Sequence, residues 1–195
     1  HRDHAVAAME KGYDLLLEKP IATTLKDTLA VQQTAQRLGR KVLVCHVLRY
    51  TELYRAVKRE IEKGTLGEVV SLNAQEGVGA WHYAHSYVRG HWAVTAESSP
   101  MILAKSCHDL DLLRWLADAP CESVSSFGRL THFTAAQAPS GAPDRCHQGC
   151  PVAESCLYNS KRYLGDERKW LQYVCDLEGN GSEPDIRSWL ENSPW

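Results

Sequence analysis

The sequence predicts an incomplete α/β fold that passes into a mixed α+β segment. Two observations carry that expectation. The first 47 residues read helix, strand, helix, strand with short connections, which is the grammar of a parallel sheet. From Leu48 onward longer amphipathic helices alternate with partly alternating apolar stretches, and the two-strand grammar does not return. A unit of two strands and two helices cannot cover both faces of a sheet, so it needs further chain to pack against.

Each element has its own signal. "DHAVAAMEKGY" places Ala5, Ala8 and Met9 on one side and stops at Gly12, the pattern of a helix with a glycine end. "DLLLEKP" is a short apolar strand that Pro20 must terminate, because proline cannot donate to a ladder and restricts the residue before it. Glu18 and Lys19 therefore stand at the carboxyl end of a parallel strand, where open α/β sheets bind ligands. The plain alternative is a turn with two solvated charges. Thr24 caps a helix whose Leu25, Leu29, Val31, Ala35 and Leu38 form an apolar stripe ending at Gly39. "KVLVCHV" is the second strand.

Beyond it, "ELYRAVKREIEKGTLG" predicts a helix with Leu53, Val57 and Ile61 at four-residue spacing. "EVVSLNAQEGVGAW" and "CESVSSFGRLTHF" read as strands, and residues 83–92, "YAHSYVRGHW", as an irregular loop. "MILAKSCHDLDLLRWLADA" reads as one amphipathic helix. Residues 139–160 are dominated by Pro, Gly, Cys and charge, and the last forty residues suit one or two short helices.

The bulk numbers exclude several classes. The 195 residues are 44% hydrophobic and 24% charged, an ordinary globular balance. A net charge of −2 gives no basic surface for nucleic acid. No apolar run approaches the ~20 residues of a membrane span. The chain carries no signal-peptide pattern, and its seven cysteines suit reduced thiols, so a cytoplasmic setting is expected. A first residue of His1 rather than Met suggests part of a longer protein.

Four stretches together resemble the Gfo/Idh/MocA oxidoreductases. They are "DHAVAAMEKGYDLLLEKPIATT", "VLRYTELYRAVKREIEKGTLGEVVSL", "LAKSCHDLDLLRWL" and "SSFGRLTHF", spanning His4 to about Phe133. The resemblance implies that residues 1–47 are the C-terminal part of a Rossmann domain. It implies that 48–195 belong to an α+β substrate and oligomerisation domain with a mainly antiparallel sheet, both parts being incomplete. The glycine-rich phosphate turn of such domains, G-x-G-x-x-G, does not occur in these 195 residues.

The same resemblance implies NAD or NADP as cofactor, with Glu18, Lys19 and Pro20 at the cofactor and a Lys–Pro bond that is commonly cis. It assigns Lys19 and His108 to catalysis on a sugar, cyclitol or related polyol. Members commonly carry Asp-x-x-x-His. Here Ala104 stands where the aspartate would be, so Lys105 and His108 are expected to act on the substrate oxygen together, unless His108 only packs or caps at its helix start. Asp109 and Asp111 are assigned no chemistry, because the helix dipole alone favours acids in a first turn.

His85, Tyr87, Arg89 and Trp92, in a dense aromatic and polar segment, are candidate sugar contacts: ring faces for C–H patches, donors for hydroxyls. Arg49 either serves substrate or ties domains by an ion pair. Cys146, Cys150 and Cys156, with His147 or Cys175 as fourth ligand, suit a structural zinc; three free thiols or a disulfide are the alternative. The expected activity is hydride transfer by a homo-oligomer. Two alternatives use the same scaffold: an NAD-dependent glycosidase working by transient oxidation and elimination, and a non-catalytic sensor.

Overall fold

The computed structural model describes residues 1–165, 171 and 181–192, and the chain forms two compact units. Unit 1 comprises His1–Glu76 and Ser99–Val124; unit 2 comprises Gly77–Ser98 and Ser125–Trp195.

Unit 1 opens with helix α1 (Arg2–Glu10), strand β1 (Leu15–Leu17), helix α2 (Leu25–Leu38) and strand β2 (Val42–Val44), in the predicted order. The strands pair in parallel, Leu15 with Val42, Leu16 with Leu43 and Leu17 with Val44. Alternation along each strand then decides what is covered. Leu15, Leu17 and Val42 pack with Ile21, Ala35 and Leu38 around the buried Ala5, Met9 and Val31. Leu16 and Leu43, on the opposite face, remain 73% and 57% exposed. The Thr24 hydroxyl accepts from the Asp27 amide at the start of α2, and Gly39 closes the helix at φ 61°. That left-handed conformation is one a side chain rarely adopts.

A 3₁₀ turn (Val47–Tyr50) leads into α3 (Glu52–Glu62). Its expected apolar stripe is not buried, and Leu53 is exposed. Residues 101–117 form two helices rather than the single one predicted: α5 (Met101–Ala104) and α6 (Cys107–Ala117). The register slips between them. The Ser106 amide reaches back to Met101 O at 3.3 Å and the His108 amide bonds Lys105 O, leaving the Ala104 carbonyl outside the helical ladder.

Unit 2 contains α4 (Ala80–Tyr83), a π-helical turn (Ala84–Val88) and α7 (Glu183–Asn192), with short 3₁₀ turns at Ala135–Gln137, Cys146–Gln148 and Ser160–Leu164. The loop expected over residues 83–92 is thus helical through Val88. No proline or glycine interrupts Ala80–Arg89, and Ala84, His85 and Ser86 are buried, so burial wins over polarity. The core of this unit is Tyr163, Leu171 and Ile186, with Trp81, Leu164, Trp189 and Leu190 against it.

The antiparallel sheet is not seen among the described residues, where the only sheet is the parallel pair of β1 and β2. Among the described residues both stretches read as strands, 68–81 and 121–133, lack ladder partners, and the end of the first, Ala80 and Trp81, lies in α4. Val70 and Phe127 in them are 92% and 97% exposed. Alternation alone does not make a strand; a second chain segment must supply the hydrogen bonds.

Candidate functional site

The carboxyl ends of β1 and β2 lie side by side, since the Cys45 amide bonds Leu17 O. Two side chains follow directly from those ends, Lys19 from β1 and His46 from β2. The Lys19–Pro20 bond is cis. The Lys19 ammonium donates to the Ala104 carbonyl at 2.7 Å, the carbonyl freed by the break between α5 and α6. The break therefore has a partner outside the helix.

Immediately past that carbonyl come Lys105 and, at the start of α6, His108. Lys105 pairs with Glu76 at 3.4 Å. His108 is buried. Burial first, then the positive charges of Lys19, His46 and Lys105, hold its imidazole below the ordinary value, so it is neutral near pH 7. Asp109 is pushed the other way, up from the usual carboxylate range, by burial and then by Glu76. Burial also raises the Cys107 thiol, which keeps it protonated and unreactive. Lys19 and Lys105 thus both act on His108, while Glu18 is exposed.

Arg49 is engaged inside unit 1. Its Nε and Nη2 donate to Asp111 at 2.6 and 2.5 Å, and its guanidinium lies 5.6 Å from the Trp115 ring centroid. The ion pair falls within one unit rather than tying two domains, and it draws in Asp111, to which no chemistry was assigned. His46 and Glu76 also escaped the sequence reading. A histidine one residue past an apolar strand and a glutamate in a glycine-rich stretch carry no spacing signal; Lys19's position at a strand end is the cue that also applied to His46.

His85, Tyr87, Arg89 and Trp92 belong to unit 2. His85 is buried and stacked on His82 at 5.2 Å, and Arg89 donates to the Tyr158 carbonyl. Tyr87 packs near Tyr83 and Trp92, and Trp92 stays exposed. A cavity of about 330 Å³ in this unit is lined by Tyr83, Arg129, His132, Phe133 and Tyr158 among others, and none of the four predicted contacts lines it.

The zinc expectation is corrected. Among the described residues no three His, Cys, Asp or Glu side chains are grouped to hold a metal ion; Cys175 lies outside those residues. Cys146, Cys150 and Cys156 are half-buried free thiols. Backbone turns fix their loop instead: Ala153 N to Cys150 O, Cys156 N to Val152 O, and the Asn159 side chain donating to Ala153 O at 2.8 Å. A loop so held has no need of an ion to shape it.

The family described as "Oxidoreductase family, NAD-binding Rossmann fold" matches residues 1–46, and "GFO/IDH/MocA C-terminal domain" matches residues 54–147, most of the chain between them. YteT of Bacillus subtilis (strain 168), whose name places it among oxidoreductases without a substrate, is 27% identical over 165 residues, covering 83% of this chain and 38% of YteT. The scyllo-inositol 2-dehydrogenase (NAD(+)) of the same organism is 28% identical over 134 residues, 67% of this chain and 36% of that protein. The 1,5-anhydro-D-fructose reductase of Ensifer adhaerens is 31% identical over 127 residues, 64% and 37%. The chain spans little more than a third of each of these relatives. With the E-K-P strand end, the histidine-bearing helix and both family matches in agreement, the chain belongs to the Gfo/Idh/MocA oxidoreductase family.

Proposed function

We propose that the protein is an NAD(P)-dependent oxidoreductase that removes a hydride from a carbinol carbon of a sugar, cyclitol or related polyol. The observation that carries the reading is the gathering of the Lys19 ammonium and a neutral, buried His108 around the break between α5 and α6. The residues in hand suit the reactive end of a dinucleotide, with a cation at the carboxyl end of a parallel strand; Lys19 and Pro20, and the exposed Glu18 beside them, would be the residues to hold it. When bound, the nicotinamide supplies the acceptor for the hydride.

The protein's own residues handle the oxygen. Lys19 has two N–H groups left after Ala104, and these can donate to a substrate hydroxyl. As the hydride departs, that hydroxyl must lose its proton, and neutral His108 is the base in place to take it. The ammoniums of Lys19 and Lys105 stabilise negative charge developing on the oxygen. In unit 2 the exposed Trp92 and its neighbour Tyr87 are proposed for sugar contact; His85 and Arg89 are engaged internally. The apolar face of Leu16 and Leu43 favours self-association. Among the described residues no helix is long and apolar enough to cross a membrane, and a cytoplasmic setting is part of the proposal.

The test is turnover by the intact protein. Inositols and sugars are offered with NAD⁺ or NADP⁺ and absorbance of the reduced cofactor is followed. Oxidation of a free polyol, lost by roughly 100-fold or more in Lys19→Met, supports the reading. Sugar released from a glycoside without net reduced cofactor would instead support the glycosidase, and no turnover of either kind would sink both.

A further inference from the structure

Ala104 leaves His108 without a carboxylate four residues earlier in the chain. An imidazole that accepts a proton in a cationic region needs something to fix its ring and limit its charge. The strand next to Lys19's supplies a candidate. His46 is half-buried, and its ring stands edge-on to His108, 5.8 Å between centroids and at 86°. Behind it, Nε2 lies 3.9 Å from Asp111 Oδ1, too long for a hydrogen bond but close enough for charge to act. Asp111 is itself held by both donors of Arg49. The Nδ1 atoms of His46 and His108 are both buried and have no hydrogen-bond partner among the described residues. A charge on His46 therefore opposes a charge on His108.

We infer that His46 is a positioning residue for His108: backed by the Arg49–Asp111 pair, it packs against the His108 ring from the neighbouring strand end and disfavours a resident proton there. This rests on the oxidoreductase reading, in which His108 must be neutral before the substrate arrives. The groups that act on His108 are few and come from every element around it: Lys19 beyond β1, His46 beyond β2, Lys105 at the helix break, and Asp109 on α6. Lys105 is partly balanced by Glu76, while Asp109 favours a proton on His108.

The coupling is read directly by histidine NMR on the ¹⁵N-labelled intact protein without cofactor, titrated from pH 5 to 9. His46→Phe keeps the ring and its edge contact but removes the charge; His46→Asn gives a second variant should the first fail to fold. The expected result is that the His108 midpoint rises by about half to one pH unit, the scale of one nearby, partly screened charge. The acid limb of kcat/KM with any polyol turned over moves by the same amount, with KM little changed. An unmoved His108 midpoint in a folded variant would overturn the inference. The two proposals fail separately. Absence of polyol turnover with a shifted midpoint removes the oxidoreductase reading and leaves the His46 coupling standing. Turnover with an unmoved midpoint does the reverse.

Discussion

Residues 1–47 and residues 125–165 are built on different physics. The first stretch is held by a parallel ladder, an apolar stripe and a capped helix, all interactions that repeat along the chain. The second is held by directional contacts that do not repeat. Tyr163 is fully buried with its ring 5.0 Å from Trp81, Arg162 stacks on that same indole at 5.1 Å, and Phe133 packs on Tyr83 and Tyr158. Asn159 ties its own turn by donating to Ala153 O and accepting from the Lys161 amide. The difference teaches where stability is concentrated. A periodic region spreads its burial over many residues, whereas the second region depends on a few large rings and one amide side chain.

The largest effect should therefore come from the second region. Tyr163→Ala removes the centre of its core and is expected to cost about 3–5 kcal/mol, lowering the urea midpoint followed by tryptophan fluorescence. Next comes Met9→Ala in the first region, whose side chain is 1% exposed among Ala5 and Val31. About 3 kcal/mol is expected there, and a loss equal to that of Tyr163→Ala would erase the contrast. Smaller again is Thr24→Ala, which removes the cap on α2 and should cost about 1 kcal/mol by thermal melting.

The last prediction carries a sign alone. His108 is held below its ordinary value of 6.5 in the folded chain, so below that pH the unfolded chain binds more protons. Its contribution to stability is then full above about pH 6.5 and declines as pH falls through the folded value. His108→Gln should flatten that part of the stability–pH curve relative to the parent. An identical slope in both would show that His108 does not contribute it.

Legibility in the sequence followed the same division. The order α1, β1, α2, β2 and the Thr24 and Gly39 helix ends were readable because apolar spacing and turn chemistry are local. The strand-end placement of Lys19 and the helix-start placement of His108 were readable for the same reason. His46, Glu76 and Asp111 were not, since each matters through a partner 29 or more positions away. Phe127 and Val70 misled, because alternation announces a strand without stating what it pairs with. The cysteines misled too: Cys146, Cys150 and Cys156 are close in sequence, but turns already satisfied by Asn159 and the backbone set where they go.

The bond from Lys19 to the Ala104 carbonyl has a consequence for binding. A lysine freed of partners samples many rotamers, and holding it in one costs on the order of 1.5–2 kcal/mol. Here that ordering accompanies folding, because the helix break offers a fixed acceptor before any ligand arrives. On the proposed reading, a substrate hydroxyl meeting this ammonium would encounter a donor already aimed, and would lose less affinity to side-chain immobilisation. On that reading, the Ala104 carbonyl, a backbone group, would fix the direction in which the remaining N–H groups of Lys19 are offered to a hydroxyl.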